Sequence, residues 1–283
     1  MFIPGSTNRI RNLSATTASS SGTSINNGGS SHTKGSWTKV LDGATLGEAQ
    51  CDALLVSFGK KLNAQSMLVD LAMSNATPEY YIFAADMLYA RGSANSDMST
   101  YLLPVRLPIV GSGSNDIYAR CQQVSASQTM DVHVSPIFTG IDFGSGGRCV
   151  TLGAISSSAS GGTSVDPGGT ANTKSSYVEF SSSVAIDVRA IAIAVGPSTD
   201  FNRTGTPINI VLDVAYGSAG SECIVIPNHM TSFGTTHDFM TNQMIVPVPV
   251  SIPRGSRIAV RSMSNNNVAG DRSIEVILYC FGS

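Results

Sequence analysis

The sequence predicts an all-β protein made of two tandem antiparallel β-sandwich (jelly-roll-like) domains, each preceded by an extended Gly/Ser-rich arm. Three observations lead to this prediction. A pattern of residues recurs about 140 positions further along the chain. Short apolar runs alternate with small or polar residues, and turn-forming residues separate the runs. The chain has 283 residues, enough for two domains that each bury a core.

The internal repeat is clearest in a Gly-rich segment that occurs twice. Residues 22–37 have the sequence GTSINNGGSSHTKGSW, and residues 162–177 have the sequence GTSVDPGGTANTKSSY. Eight positions are identical, and a Ser/Gly-rich composition would rarely supply them in the same order. We therefore interpret the chain as two copies of one unit.

The match continues beyond this segment with only small drifts in the spacing, as loop insertions would cause. It pairs residues 67–73 with residues 210–216, for example, and both segments contain an aspartate in an apolar run. The predicted boundaries follow from this correspondence: a first repeat unit 1–141 (arm 1–36, β-sandwich 37–141) and a second repeat unit 142–283 (arm 142–176, β-sandwich 177–283).

Strands are predicted wherever apolar residues alternate with a period of two. In the first unit these segments lie near 37–41, 51–58, 67–73, 80–84, 101–107, 116–123 and 130–138. In the second unit they lie at 187–195, 208–216, 222–226, 244–252, 256–262 and 273–281. About seven or eight short strands per unit, separated by Gly, Pro, Asn and Ser, indicate an antiparallel sandwich or a jelly roll.

Two segments leave alternatives open. Residues 45–55 have helical propensity, but the matching residues 181–187 do not, so we favour a loop leading into a strand, with a short helix as the alternative in the first unit. The Gly/Ser/Thr-rich segments 5–34 and 144–174 have the composition of flexible linkers. Because Gly, Lys and Thr recur there at fixed places, we favour extended arms that pack along a surface. The glycines would lie where the backbone has a positive φ or approaches another segment closely.

The recurring arm residues are the candidate assembly residues. They are Gly22, Thr23, Ser24, Gly28, Gly29, Thr33 and Lys34 in the first unit, and Gly162, Thr163, Ser164, Gly168, Gly169, Thr173 and Lys174 in the second. Trp37 and Tyr177 follow the arms at matching positions, and they are candidate glycan-binding or anchoring aromatics.

No catalytic, cofactor-binding or metal site is predicted. No histidine recurs at a matching position, and the chain has no GxSxG motif, which argues against a hydrolase triad. His229, His237 and Asp238 lack a recognised metal-ligand spacing. The Gly-Gly pairs lack the Lys-Ser/Thr of a phosphate-binding loop, so no nucleotide cofactor is expected.

Two pairs of charged residues recur inside the strands. Asp70 and Asp213 match identically and are the candidate carboxylates for glycoside hydrolysis. The alternative is that each points to solvent or accepts backbone hydrogen bonds at a sheet edge. Arg120 and Arg261 also match, and we expect them to pair with acids or carbonyls at a strand end.

The five cysteines have no partner spacing and no counterparts between the units. We therefore expect small buried side chains in a reducing compartment rather than disulfides or a metal site.

Composition excludes several classes of function. With a net charge of −2 and 13% charged residues, sequence-independent nucleic-acid binding is not expected. The longest uninterrupted apolar run is about six residues, far short of the ~18 that a membrane span needs. The first residues lack the pattern of a signal peptide. We expect neither membrane insertion nor a removable export signal.

The motif GTS[IV]xxGG…TKxS[WY], followed by [LI]VxD[LV]A and by Ile-x-[AV]-Arg, resembles β-rich virion proteins of tailed bacteriophages. The resemblance covers nearly the whole chain in two copies and carries no catalytic residue. It implies a particle component such as a fibre, collar, head spike or decoration protein, assembled in the bacterial cytoplasm and located in the virion.

The leading hypothesis is therefore a non-enzymatic virion protein attached to the head, neck or tail. Its expected partners are other virion proteins, further copies of itself as a homo-oligomer and, as a further candidate, a host-surface glycan. The alternatives are a carbohydrate-binding module of a cellular adhesin, which would use Trp37, and a glycan depolymerase, which would use Asp70 or Asp213.

Overall fold

The structure is a computed structural model that describes residues 9–10, 22–43, 51–76, 79–90, 92, 98–108, 115–138, 148–198, 208–233, 242–266, 268 and 273–283. The secondary-structure elements of these residues are all β-strands, so the all-β prediction is confirmed. We call residues 1–141 the N-terminal half and residues 142–283 the C-terminal half.

The N-terminal half contributes nine of the strands. They are β1 (Arg9–Ile10), β2 (Thr23–Asn26), β3 (Thr38–Leu41), β4 (Ala53–Gly59), β5 (Met67–Ala76), β6 (Glu79–Tyr89), β7 (Met98–Leu103), β8 (Asp116–Gln123) and β9 (Thr129–Phe138).

The C-terminal half contributes the remaining eleven strands of the described residues. They are β10 (Arg148–Leu152), β11 (Ala154–Ile155), β12 (Gly161–Val165), β13 (Val178–Ser181), β14 (Val188–Pro197), β15 (Ile208–Tyr216), β16 (Cys223–Phe233), β17 (Asn242–Ile245), β18 (Val248–Ile252), β19 (Ile258–Ser264) and β20 (Ile274–Gly282).

These strands form four sheets, which we number I to IV. Sheet I has the order β1-β9-β4-β7-β17, with β2 also paired to β9, and sheet II has the order β3-β8-β5-β6. Sheet III has the order β11-β12-β20-β14-β18, with β10 also paired to β20, and sheet IV has the order β13-β19-β15-β16. All pairs are antiparallel except β7 with β17. Two facing sheets with these crossovers form a jelly roll in each half.

Each sheet pair encloses an apolar core built by alternate residues of its strands. Val56 and Phe58 of β4 in sheet I share a hydrophobic cluster with Leu71 of β5 in sheet II. Ile193 of β14 in sheet III and Leu212 of β15 in sheet IV share the second cluster. The period-two patterns of the sequence therefore identify the residues that face each core.

The central strands β14 and β20 of sheet III are buried on both faces, because the outer face of this sheet packs against the N-terminal half. On β20, Leu278 belongs to the C-terminal core, whereas Ile277 and Tyr279 belong to the N-terminal cluster. On β14, Ala192 and Ala194 also join the N-terminal cluster. The two cores are thus separated by one shared sheet, and β20 is buried along its whole length.

The connection between the halves also includes a strand that crosses from one to the other. Strand β17 of the C-terminal half pairs in parallel with β7, with Asn242 opposite Met98 and Ile245 opposite Tyr101. The sequence predicts one strand over 244–252, and this prediction is wrong in its extent. The residues before Val246 extend sheet I, and those from Val248 onward extend sheet III.

The structure refines several other predicted boundaries. Strand β6 runs to Tyr89 and β16 to Phe233, both well beyond the predicted 80–84 and 222–226. The helical alternative does not hold for residues 53–55, which lie in β4, while residues 44–50 lie outside the described residues.

The second arm contains more regular structure than its composition indicates. Within it, β10 pairs with β20, and β12 continues the same edge of β20. Val150 and Leu152 pack against the C-terminal core and give β10 its apolar contacts.

Candidate functional site

Three charged residues from separate parts of the N-terminal half meet beside sheet II. Lys34 Nζ lies 2.7 Å from Asp70 Oδ1 on β5, and Arg120 Nε on β8 lies 2.8 Å from Asp70 Oδ2. Asp70 is 3% exposed. We call Lys34, Asp70 and Arg120 the N-terminal ion cluster. It joins the loop after β2 to the two central strands of sheet II.

The C-terminal half contains an equivalent cluster beside sheet IV. Lys174 Nζ lies 2.8 Å from Asp213 Oδ1 on β15, and Arg261 Nε on β19 lies 2.9 Å from Asp213 Oδ2. We call these three residues the C-terminal ion cluster. The expectation that Arg120 and Arg261 pair with acids is confirmed, and their partners are Asp70 and Asp213. The expected place is wrong, because both arginines lie inside β8 and β19 and not at a strand end.

Each cluster includes a fourth residue that sequence reasoning missed. The backbone N–H of Asp86 donates to Asp70 Oδ1 at 2.9 Å, and the backbone N–H of Asn228 donates to Asp213 Oδ1 at 2.9 Å. Both residues have a positive φ, 52° and 51°. The signal in the sequence is the residue type, because Asp and Asn adopt a positive φ more readily than any other residue except glycine.

Electrostatics make Asp213 a permanent anion near neutral pH. Burial raises the pKa of its carboxyl, but hydrogen bonds from Lys174, from the backbone of Asn228 and from Arg261 outweigh burial, so the pKa lies below the ordinary 3.8. A carboxylate held in this way is a poor proton donor. The hydrogen bonds therefore argue against the alternative in which Asp213 serves a glycan depolymerase, and Asp70 makes the matching contacts.

The predicted aromatic residues cover the arginines of the clusters. The guanidinium carbon of Arg120 lies 4.3 Å from the Trp37 ring centroid, and that of Arg261 lies 4.7 Å from the Tyr177 ring centroid. Tyr80 stacks on Trp37 at 5.0 Å. Trp37 and Tyr177 therefore each make a cation–π contact with the arginine of their cluster. The Trp37 ring is occupied by protein side chains where a sugar platform needs an open face.

The recurring arm residues pack on their own half. Thr23 and Ser24 lie on β2, which pairs with β9 in sheet I. Thr163 and Ser164 lie on β12, which pairs with β20 in sheet III. The hydroxyls of Thr33 and Thr173 each face a carbonyl two residues earlier, at 3.2 and 3.5 Å.

The recurring glycines have different structural roles. A Cβ on Gly22 or Gly162 would lie within 3 Å of backbone atoms of Val132 or Val276, respectively. A Cβ on Gly28 would contact Thr33, and Gly168 has a φ of +89°. Gly29 and Gly169 have open space around them. Close approach and positive φ thus explain four of the six predicted glycines, and nothing in the structure explains the other two.

The outer face of sheet I carries a cavity of about 410 Å³. It is lined by Gly22, Ser57, Gly59, Lys60, Met98, Asp131 and His133. Asp131 is 8% exposed, and its Oδ2 accepts no hydrogen bond from the described residues. Lys60 Nζ lies 3.8 Å from that oxygen. Burial lowers the pKa of His133. Sequence patterns do not indicate this cavity, because its residues come from four separate segments.

A second cavity, of about 320 Å³, lies at the edge of the C-terminal half and is mainly apolar. We call it the open groove. It is lined by Ile193, His229, Met230, Thr231, Gln243, Met244, Ile245, Val246 and Val248. Met230 and Met244 are each 64% exposed. Burial lowers the pKa of His229.

The cysteine prediction is correct for four residues and wrong for one. Cys51, Cys121 and Cys280 are buried and Cys149 is half-buried, whereas Cys223 at the start of β16 is exposed. Position explains this difference, because Cys223 begins an edge strand and faces no second sheet.

Within the described ranges, no three His, Cys, Asp or Glu side chains are placed to hold a metal ion. His237 and Asp238 of the conceivable metal site lie outside those ranges. The same part of the chain contains no helix that could span a membrane.

No protein-family model and no curated protein matches this chain. The solved structures to which this chain shows some similarity include PNGF-II, with 8% identity over 92% of this chain and 66% of that one and a TM-score of 0.36. PNGase F, a glycosylasparaginase from Flavobacterium meningosepticum, has 10% identity, coverages of 97% and 96% and a TM-score of 0.36. The STIV MCP has 8% identity, coverages of 96% and 95% and a TM-score of 0.32. These identities and TM-scores are too low to assign a family, an activity or a partner.

Proposed function

We propose that this chain is a non-enzymatic structural component of a tailed-phage virion, attached to the head, neck or tail as a fibre, collar, spike or decoration protein. Its partners in this proposal are other virion proteins and further copies of itself, with a host-surface glycan as an additional partner. The motif resemblance supports the tailed-phage origin, and the use that the fold makes of its charged residues supports the structural role.

The observation that carries the proposal is the set of contacts made by the recurring charged residues. Asp70 and Asp213 are the carboxylates that recur identically, and each is buried and bonded to one lysine and one arginine. An enzyme needs its acid or nucleophile to reach a substrate. A structural protein uses the same residues to fix a loop on a sheet, which is the arrangement found in both halves.

The proposal includes the division into two repeat units, 1–141 and 142–283. The strand orders β2-β9-β4-β7 and β12-β20-β14-β18 support it, as do the orders β3-β8-β5-β6 and β13-β19-β15-β16. The matched contacts of the two ion clusters are further support, since they occur at corresponding positions of both sheet pairs.

The proposal gives the recurring arm residues a fastening role. Residues 22–26 and 161–165 add a strand to the edge of sheets I and III. Lys34 and Lys174 then attach the following loop to sheets II and IV. An arm held at both ends keeps the edge of each jelly roll in a fixed shape for assembly.

Protein composition of purified particles tests the proposal. Particles from the source culture are separated on a density gradient, washed with salt, and analysed by quantitative mass spectrometry. We expect peptides of this chain to co-sediment with the particles at a constant ratio to the other particle proteins. An abundant host cytoplasmic protein is the control, and it should stay at the top of the gradient. Detection of the chain in the lysate but not in the washed particles would exclude the virion role.

A further inference from the structure

We propose that the open groove of the C-terminal half binds the outer face of sheet I in a second copy of this chain. The contact would repeat, between chains, the packing that joins the two halves within one chain. This inference rests on the proposed structural role and deepens it by naming the surfaces that assemble.

The contact within the chain shows what such packing requires. Tyr279 on the outer face of sheet III accepts a hydrogen bond from the Leu88 N–H at 2.7 Å and donates one to the Asp86 carbonyl at 3.1 Å. Its ring lies edge-on to Tyr101, at 5.6 Å. The side of the N-terminal half formed by β6 and β7 therefore binds the outer face of sheet III.

The corresponding side of the C-terminal half is formed by β16 and β18. Among the described residues, no outer face of another sheet packs against it. Leu88 pairs with Leu68 on β5, two residues before Asp70. Met230 pairs with Val211 on β15, two residues before Asp213. These two positions therefore correspond. Leu88 is fully buried under sheet III, whereas Met230 is 64% exposed.

A second correspondence extends the open surface along β18. Leu103 on β7 pairs with Leu54 on β4, and Val248 on β18 pairs with Ile191 on β14. Leu103 is 1% exposed and Val248 is 37% exposed.

The residues between these positions enlarge the apolar surface. Met244 is 64% exposed and Val246 is 44% exposed, and both line the open groove with Met230 and Val248. Contiguous exposed apolar side chains of this kind mark an interaction site. The strand register indicates which kind of surface would bind in the open groove. The corresponding side of the N-terminal half binds the outer face of a jelly-roll sheet, so we infer the same kind of partner for the groove.

Among the described residues, Asp131 Oδ2 on sheet I has an ion-pair partner, Lys60 Nζ at 3.8 Å, but no hydrogen bond at the place where sheet III receives one. Glu275 on β20 pairs with Ser164 and accepts a hydrogen bond from Ser66, which belongs to the other half. Asp131 on β9 pairs with Ser24 in the same position of sheet I. Its Oδ2 is buried and accepts no hydrogen bond from the described residues. A neighbouring copy would supply the donor that Ser66 supplies within the chain.

The composition of the outer face agrees with an association between separate molecules. Leu55 and Ile137 are half-buried apolar residues on this face, and the polar pair Ser57 and His133 lies next to Leu55, toward Asp131. The equivalent face of sheet III, which is permanently covered, presents Ala192, Ile277 and Tyr279 instead. Interfaces that form between folded chains retain more polar residues than those that are always buried.

The open groove and the outer face of sheet I consist of different residues, so each chain can bind one neighbour through each of them. The two surfaces adjoin, since Met244 of the groove pairs with Thr100 and Thr100 pairs with Ser57, which places these three side chains on one face of sheet I. Such heterologous contacts build closed rings or filaments and do not stop at a two-fold dimer. This consequence makes the proposal distinguishable from ordinary dimerisation.

Sedimentation of the purified full-length chain tests the open groove. We expect the wild type to form concentration-dependent species larger than a dimer. Met230→Glu places a charge in the centre of the contact and should weaken association at least about tenfold, because an unpaired charge there must be desolvated. Tyr81→Glu is the matched control, since Tyr81 is 61% exposed on β6 and lies on neither surface. This control should associate as the wild type does.

A mixing experiment tests the partner surface. Ser57→Arg blocks the outer face and leaves the open groove intact, whereas Met230→Glu does the reverse. Each variant alone should stay monomeric, and the mixture should give a one-to-one dimer that grows no further. Lys60→Glu, at a side chain 66% exposed beside the same cavity, replaces Ser57→Arg if that variant has a lowered melting temperature.

Three results would overturn the proposal. They are a wild-type chain that stays monomeric up to its solubility limit, association that Met230→Glu leaves unchanged, and variants that form no mixed dimer. The virion role is tested separately on particles, so failure of self-association leaves that result standing. If particles contain the chain but the purified chain is monomeric, the groove binds another virion protein and not a second copy.

Discussion

At the scale of single residues, the two ion clusters combine charges that are far apart in the sequence. Asp70 is 36 residues from Lys34 and 50 residues from Arg120. Each aspartate is almost fully buried, while its lysine and arginine reach partly into solvent. Removing a buried carboxylate leaves two cations without their main partner, which costs more than losing an ion pair on the surface.

We expect Asp213→Asn to lower the free energy of unfolding by about 2 to 3 kcal/mol, because both ion pairs of the C-terminal cluster are lost. Urea denaturation measures the change. Glu179→Gln is the control in the same half, since Glu179 is about half exposed and its partner Arg257 also binds Glu222. This control should cost less than about 1 kcal/mol. Equal losses in the two variants would contradict a buried role for the cluster.

The lowered pKa of Asp213 predicts a dependence of stability on pH. Its pKa is lower in the folded chain than the ordinary 3.8, so its contribution is complete above pH 3.8 and disappears as the pH falls through the folded value. The difference in unfolding free energy between the wild type and Asp213→Asn should be constant from about pH 5 to 7 and shrink in more acidic solution. A difference that grows on acidification would contradict the assignment.

Thiol reactivity should follow burial. Burial raises the pKa of Cys51, Cys121 and Cys149 to about 12, and Cys280 is buried as well. Because the thiolate is the reactive form, only Cys223 should react quickly with an aromatic disulfide reagent in the native chain. All five thiols should react after denaturation. Cys223→Ser is the control and should abolish the fast phase.

At the scale of elements, close backbone contact explains why the arms need glycine at particular positions. A Cβ on Gly162 would approach backbone atoms of Val276 at 2.7 to 2.9 Å, so β12 would have to move away from β20. Gly169 belongs to the same recurring motif and has nothing within 4 Å.

We therefore expect Gly162→Ala to destabilise the chain by about 2 to 3 kcal/mol, as overpacking against a fixed backbone does. Gly169→Ala should change stability by less than about 0.5 kcal/mol, as surface substitutions usually do. Thermal unfolding followed by circular dichroism compares the two variants. If both are neutral, β12 adapts and the glycine is not required by packing.

The sequence predicted the elements whose signal is local and missed those that depend on a partner. Alternating apolar residues located β15 within 208–216, because a half-buried strand needs only its own period. The division of the predicted strand 244–252 into β17 and β18 could not be predicted, since Met244 is exposed and the pairing of β17 with β7 involves a segment more than a hundred residues away.

The candidate sites likewise include residues that a sequence pattern indicates and residues that only the tertiary structure brings together. Lys34, Asp70 and Trp37 were each singled out because they recur, but recurrence does not reveal which residues touch. The open groove gave no such signal, since the residues at its positions are buried in one half and exposed in the other. Met230 and Leu88 are both apolar, and only the placement of sheet III distinguishes them.

At the scale of the whole molecule, Tyr279 joins the two halves through a buried hydroxyl that contacts Leu88 and Asp86. Tyr279→Phe would leave the Leu88 N–H buried without its acceptor. We expect a loss of about 1 to 3 kcal/mol, the usual cost of an unsatisfied buried group. Differential scanning calorimetry measures it and shows whether the halves still unfold together.

Tyr81→Phe is the control for this measurement, because Tyr81 is 61% exposed. It should leave both the melting temperature and the number of transitions unchanged. A Tyr279→Phe chain as stable as the control would show that the hydroxyl does not couple the halves.

Sheet III, which is covered on both faces, also sets an order of events during synthesis. A ribosome completes β6 and β7 early, but Tyr279 lies on β20, which follows the other described strands in the chain. Throughout translation of the C-terminal half, the nascent chain carries an apolar side that nothing of its own yet covers. A chain that stops before Ile274 would therefore have to rely on chaperones or be degraded. A strand made more than 180 residues after β6 thus completes the cover of the N-terminal half.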